Sequence, residues 1–426
     1  MRRVRPMPGR CRATGLSRPR RLLGLLALLA LAACAPAPPK PPPPAPAPPP
    51  PVYVRVGLEP MPYAEAVQAI AVDLAGQLRA LGSDSRPLAA RLAVIEPFID
   101  AQTGFGTDAT RRLQQDLGTR LAEAAERLTT TPMVPDNLGA SDFVLSGAIS
   151  FDPRDNDSST RLYRILVSLV NARTGALAAK AAAWLSERSL DMTPLASFQE
   201  SPLYLNDRHT ASLLNTVRLP VGHDSDPRYF QHLPVSAVLA DAQRAFADGQ
   251  YTDALAAYQR AEALPEGKSM KTYSGIYVTQ RKLGKAADAE RAFDQLLKVA
   301  LDEDRLAIRF LFRVNSTDFV ADAALAEQYR MWIRLMAQEF VQRNTCLDIL
   351  GHSSRTGTDA YNDMLSLRRA EAVRQQLRAA HAGTAALTRA SGRGSRENLV
   401  GSGTDDARDA VDRRVELRTI GCPVSR

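Results

Sequence analysis

The sequence predicts an α/β multidomain chain with an amino-terminal α/β domain, central α-helical hairpins, and a carboxy-terminal α/β sandwich with a mixed sheet. Three observations predict it. From residue 52 to about 220, apolar residues alternate between helical spacing and short strand-like runs. Across 236–300 a pattern of small and aromatic residues recurs with a shift of 35. From Leu347 to Val373 an apolar strand, a Gly/Ser/Thr loop and a long helix follow one another. With 426 residues the chain has room for about two or three domains.

The elements before the first domain concern export. Residues 1–33 hold eight arginines and no acid, and Leu22 to Ala33 is an apolar run of 12 residues. A helix needs about 20 residues to span a bilayer, so this run is too short to be an anchor by itself. It ends in Leu31-Ala32-Ala33-Cys34, which resembles a lipoprotein signal-peptide site. The resemblance implies that Cys34 carries the lipid, and Ala35 in place of an aspartate implies sorting to the outer membrane, facing the periplasm. Beyond residue 33 the chain carries 46 basic and 46 acidic side chains, so the formal charge of +8 belongs to the leader and gives no basis for a nucleic-acid partner. From Ala35 to Pro51, 12 of 17 residues are proline. Such a segment favours polyproline II and reads as a spacer reaching roughly 50 Å or as a low-complexity tail.

Within 52–220, Ala64 to Leu81 places Val67, Ile70, Leu74, Leu78 and Leu81 at helical spacing, and Ala109 to Leu128 repeats that pattern with Leu113, Leu117 and Leu121. Leu92 to Ile99, Phe143 to Ile149, Leu162 to Val170 and Ala176 to Leu185 read as strands, the last two joined by a hairpin at Asn171-Ala172-Arg173-Thr174-Gly175. This order, with Ile95-Glu96-Pro97-Phe98 and Leu145-Ser146-Gly147, is similar to the amino-terminal domains of envelope lipoproteins of the FlgO and penicillin-binding-protein-activator types. It implies a domain that binds partner proteins. Periodicity fades from Asp191 to Pro234, where His209, His223 and His232 read as scattered, solvated side chains and not as a metal site.

In the middle, Gly249, Tyr251, Ala254, Tyr258 and Ala261 recur as Gly284, Ala286, Ala289, Phe293 and Leu296. The pattern resembles the tetratricopeptide repeat (TPR), a helix pair with a small residue at the tight crossing. It implies either a groove for envelope proteins or a rigid spacer. Two units are fewer than the roughly three that stand alone, which predicts packing against a neighbouring domain.

Over 304–422, Arg305 to Phe312 reads as a strand, Ala321 to Val341 as a helix, Cys346 to Leu350 as a strand and Asp359 to Ala380 as a helix, with Met364, Leu367, Ala370, Val373 and Leu377 toward the core. Gly351-His352-Ser353-Ser354, Tyr361-Asn362, Leu365-Ser366 and Arg369-Ala370, followed by Ser391-Gly392-Arg393-Gly394 and Asp412-Arg413-Arg414-Val415-Glu416, resemble the OmpA-like peptidoglycan-binding domain. What the resemblance implies is non-covalent binding of the diaminopimelate centre of a peptidoglycan stem peptide. Arg369 would fork the carboxylate, since a guanidinium makes two parallel hydrogen bonds. Asn362 and Ser366 share its helix face, and Asn315 falls near the opposite wall.

Ser354 stands where the family has its aspartate, so the ammonium half of the zwitterion loses a charged partner unless Asp359 replaces it. Retained wall binding, a protein-interaction or assembly scaffold without wall contact, and a purely structural role therefore stay open. Cys346 and Cys422 flank two strands of this domain, and a disulfide between them requires Cα atoms within about 7 Å, which sequence leaves open. No catalytic motif such as G-x-S-x-G, H-E-x-x-H or a P-loop occurs, and no cofactor or metal ligand set is expected.

Overall fold

The structure, a computed structural model, describes residues 59–81, 91–154, 161–319, 322–399 and 412–422. The leader, Cys34 and the proline-rich stretch lie outside the described residues. The first layer is built from helix α1 (Tyr63–Leu81), strands β1 (Arg91–Ile95) and β2 (Ile99–Asp100), helix α2 (Asp108–Ala124), strand β3 (Leu128–Pro132), helix α3 (Pro135–Ala140), and strands β4 (Phe143–Pro153), β5 (Arg161–Asn171) and β6 (Leu177–Trp184). The strand order is β3-β1-β4-β5-β6, with β2 also on β4. β1, β2 and β3 run parallel to their partners, while β4–β5 and β5–β6 are antiparallel.

The period of two along each strand separates two cores. Ile95, Leu145, Ile165 and Val167 face α1 and α2, where Ile70, Leu74, Leu113 and Leu117 are buried. Val94, Val144, Ala148 and Leu166 face Leu213, Tyr229 and Leu233. Both faces of β4 are therefore covered, which is why its sequence reads as a continuous apolar run. The run from Leu92 to Ile99 differs from expectation in being two strands, because Pro97 lacks an amide donor at the point where pairing breaks. Leu128 begins β3 and does not close α2, which ends at Ala124.

Helices α4 (Ala196–Gln199), α5 (Arg208–Thr216) and α6 (Pro227–Ala247) fill the stretch where periodicity fades. Asp207 and Asp226 cap α5 and α6 through side-chain oxygens, and Pro227 opens α6 at its first turn, where no amide partner is lost. Two of the three histidines expected in solvent are buried: the rings of His209 and His232 stack at 3.6 Å, and burial pushes both below the ordinary imidazole range. His223 is exposed. The mixed polarity of 207–232 hid the two helices that bring these rings together.

Two helical hairpins follow, α6 with α7 (Tyr251–Ala263) and α8 (Met270–Lys282) with α9 (Ala286–Asp302). Gly249 and Gly284 occupy equivalent left-handed turns, φ +75° and +71°, each closing its preceding helix with the same pair of backbone bonds. At the crossing of α7 and α8, an ideal Cβ on Gly275 would lie 2.1 Å from the Tyr258 ring. The hairpins share their core with the carboxy-terminal region: Phe293 stacks on Trp332 at 5.6 Å, and Trp332 Nε1 donates to Tyr277 Oη.

The last region comprises α10 (Ala323–Arg343), β7 (Cys346–Gly351), α11 (Asp359–Ala380), α12 (Thr384–Leu387), β8 (Thr388–Gly392) and β9 (Val415–Ile420). Its sheet has the mixed order β8-β7-β9, parallel then antiparallel. Residues 305–312, expected as a strand, form isolated bridges instead, Ile308 to Leu203, Arg309 to Val415 and Phe312 to Phe319. Met364 and Leu367, expected in the core, are 42% exposed, while Leu365 is buried along with the expected Ala370, Val373 and Leu377. Cys346 and Cys422 are joined in a disulfide, Cα atoms 5.1 Å apart. The described residues fall in one compact unit.

The glycines give a test of opposite signs. Gly275→Ala should lower stability by about 1–3 kcal/mol because Tyr258 must move, outweighing the better helix propensity of alanine. Gly76→Ala on α1, where the nearest atom to a new Cβ is the Arg79 guanidinium at 3.9 Å, should raise it by up to about 1 kcal/mol. Urea unfolding of both variants checks this, and a stabilised Gly275→Ala would contradict the crossing geometry.

Candidate functional site

Helix α11 approaches the ends of β7 and β8 so closely that only glycine fits. A Cβ on Gly351 would lie 1.8 Å from the Ser366 carbonyl oxygen, and one on Gly392 would lie 2.7 Å from Ser366 Oγ. Thr358 caps α11, its Oγ1 accepting from the Tyr361 amide. Ser366 Oγ donates to the Asp363 carbonyl and accepts from the Gly394 amide, fixing the turn after β8 to the helix. The Ser353 amide donates to the Gly394 carbonyl and the His352 amide to the Arg414 carbonyl, so the loop after β7 is held on two sides.

Arg369 is fully buried on this helix face. Its Nε donates to the Ser316 carbonyl at 3.0 Å, Nη1 to the His352 carbonyl at 3.2 Å and Nη2 to the Arg313 carbonyl at 3.1 Å, with the guanidinium 5.2 Å from the Phe312 ring centroid. The side chain thus ties together the turn at 313–316, the loop after β7 and α11. Asn315, in that turn, is exposed with φ +52°. Asn362 is 1% exposed, and its Nδ2 has no hydrogen-bond partner among the described residues. Ser354 is 7% exposed and brings no charge. Asp359 is exposed in the first turn of α11. The structure therefore gathers Arg369, Asn362, Ser366 and Ser354 around one loop and helix face, and leaves Asp359 and Asn315 at the surface. Asp412 is fully buried, Oδ1 accepting from the Leu399 amide at 2.6 Å.

Sequence reasoning missed two residues of this neighbourhood. His352 is fully buried, and burial together with Arg414, Arg393 and Arg418 pushes its imidazole down to about 2. Arg414 is buried at 2% exposure, with Nε donating to Glu416 Oε1 at 2.7 Å and Nη2 to the Glu397 carbonyl at 3.0 Å. The Arg-x-Glu spacing on a strand was a readable signal for the second, since residues two apart share a face. Nothing local signals the burial of His352.

Two predictions follow from these contacts. Arg369→Ala should cost about 3 kcal/mol or more in urea unfolding, because three carbonyls lose a charged donor, and Arg369→Lys should not restore it. His352 has a folded pKa far below its unfolded value of about 6.5, so the unfolded state alone takes up the proton as pH falls. Its contribution is intact above about pH 6.5 and is lost at about 1.4 kcal/mol per unit below it. His352→Gln should therefore remove about 2 kcal/mol of the stability lost between pH 6.5 and 5; an unchanged pH slope would contradict the buried neutral imidazole.

Residues 311–412 match the model of the OmpA family. A comparison with curated proteins finds no match. Among solved structures the chain is similar to the peptidoglycan-associated lipoprotein from Burkholderia pseudomallei, at 28% identity over 26% of this chain and 90% of that one, TM-score 0.23. It is similar to the OmpA-like domain of FopA1 from Francisella tularensis subsp. tularensis SCHU S4, at 20% identity over 27% and 75%, TM-score 0.21. It is also similar to the cell wall anchor of the T6SS from Pseudomonas aeruginosa, at 23% identity over 29% and 94%, TM-score 0.23. With the family match spanning the turn, loop and helix that Arg369 ties together, the carboxy-terminal region of this chain is an OmpA-like domain.

Proposed function

We propose that this chain is a lipid-anchored protein of the outer membrane that faces the periplasm, holds peptidoglycan non-covalently through its OmpA-like domain, and scaffolds envelope or secretion-system assembly through the remainder. The observation that carries the wall-binding reading is the OmpA family match over 311–412. The buried Asn362 amide supports it: a desolvated N–H₂ without a partner costs free energy that a ligand acceptor recovers. In this reading the ligand is the diaminopimelate stem peptide, Asn362 and Arg369 face its carboxylate side, and Ser354 replaces a charged contact to its ammonium with a neutral one. Cys34 carries the lipid, and the helical hairpins and first α/β layer, read as TPR-like and FlgO-like, engage envelope proteins.

A second reading, an assembly scaffold without direct wall contact, is favoured by one observation: the Arg369 guanidinium is already directed at three backbone carbonyls.

Co-sedimentation of the chain lacking residues 1–34 with intact sacculi separates the two. Wall binding predicts retention, a loss of about tenfold in Asn362→Leu, and a gain of similar size in Ser354→Asp, since charged hydrogen bonds exceed neutral ones by about 1 kcal/mol or more. Asn362→Leu is the cleaner probe because its Nδ2 makes no hydrogen bond among the described residues, whereas Arg369→Ala removes a structural tie as well. Wild-type protein that stays in the supernatant at every salt concentration favours the scaffold. For the anchor, Cys34→Ser should release the protein from membranes, and unchanged membrane association would defeat the lipid assignment.

A further inference from the structure

An open cleft lies where the first sheet meets the helical hairpins, far in sequence from the OmpA-like domain. Its apolar lining is Phe98, Leu195, Phe198, Leu213 and Leu239; its polar lining includes Glu96, Arg111, Gln114, Gln243 and Lys271. The hydrogen-bonding capacity of these groups is unbalanced. Glu96, 6% exposed, is already satisfied: Oε2 accepts from Ser146 Oγ at 2.7 Å, and Ser236 and Tyr229 also bond the carboxyl group. Gln114 Oε1 accepts from the Phe98 amide, which leaves its N–H₂. Among the described residues no carboxylate lies within ion-pair distance of Lys271, and the Gln243 amide carries no hydrogen bond.

The cleft therefore offers a surplus of N–H donors and one unpaired cation beside an aliphatic and aromatic wall. A ligand that matches it has an acceptor-rich anionic end and a small apolar group.

We propose that this cleft binds the free carboxylate terminus of a short peptide whose last side chain is apolar, with Lys271 and Gln243 on the carboxylate and Leu195, Phe198 and Leu239 on the side chain. Glu96 does not oppose this. Its carboxyl group is turned onto the Ser146, Ser236 and Tyr229 hydroxyls, and burial pushes it up against the opposing pull of those hydrogen bonds and of the Lys271 charge. The assignment uses no residue of 311–412, so it stands or falls separately from wall binding.

The test is calorimetric titration of the full chain with acetyl-Gly-Ala-Leu as the free acid and as its amide. The acid should bind at least about tenfold tighter than the amide, the difference made by one charged contact. Lys271→Gln should abolish that preference, Gln243→Leu should weaken the acid independently, and Glu96→Gln should leave acid binding unchanged or stronger. Thermal midpoints equal to wild type confirm that these variants fold. Equal affinity for acid and amide, no acid binding at about 10 mM, or equal binding by free leucine would overturn the proposal. So would a cationic peptide amide that binds better and is lost in Glu96→Gln.

Discussion

Two buried guanidinium groups, each donating to backbone carbonyls, fix the extended segment on which the carboxy-terminal half of this structure depends. Arg309 Nη1 lies within 3.1–3.3 Å of the carbonyls of Phe198, Gln199 and Ser201, its guanidinium 5.4 Å from the Phe105 ring centroid. Arg369 holds the turn at the other end of the same segment through three more carbonyls. A buried cation is expensive unless its donors are used, and carbonyl oxygens spread over several loops use them only in one arrangement. Each arginine thereby converts its desolvation cost into a constraint on loop positions.

This constraint explains why residues 305–312 behave unlike an ordinary strand. Ile308 bridges to Leu203 on one side and Arg309 to Val415 on the other, with the Tyr204 amide donating to Ala307 and the Leu417 amide to Leu306. The segment extends the sheet β8-β7-β9 and ends it against residues 202–204, which belong to the amino-terminal half. An exposed sheet edge is a liability in most folds, and here it is covered by a neighbouring part of the same chain. Trp332, against Phe293 and Tyr277, adds an aromatic junction between α10 and the hairpins. The OmpA-like domain is thus built into the rest of the described chain and does not hang from it by a linker.

Local patterns in the sequence carried much of this architecture, and what they missed shares one physical cause. Helices α1, α2, α10 and α11 announce themselves because burial of one face imposes a period of about 3.6, and β4 and β5 because burial on both faces makes continuous apolar runs. Helices α5 and α6 do not, since 207–234 packs His209, His232 and Tyr229 as polar groups in a buried junction, and polar residues there read as loop. Met364 and Leu367 erred in the other direction, because apolar spacing alone cannot tell which of two adjacent stripes meets the sheet; the Gly351 and Gly392 contacts at Ser366 settle it. In the site, the grouping of Asn362, Ser366 and Arg369 on one face was legible from offsets of three and seven. The carbonyls that engage Arg369 come from residues 17, 53 and 56 positions away, which no local pattern encodes.

The electrostatics of the pocket sharpen what the serine at position 354 means. Around the loop after β7 lie Arg369, Arg393, Arg414 and Arg418, three of which are positioned to depress His352. Against them stand Glu416, paired with Arg414 at 2.7 Å, Glu397, 3.8 Å from Arg393, and the buried Asp412, while position 354 is a neutral hydroxyl. In the proposed wall-binding reading, an aspartate at 354 would supply a charged partner for the ammonium, and with serine there the carboxylate side carries more of the recognition, where the Asn362 amide is a buried donor without a partner among the described residues.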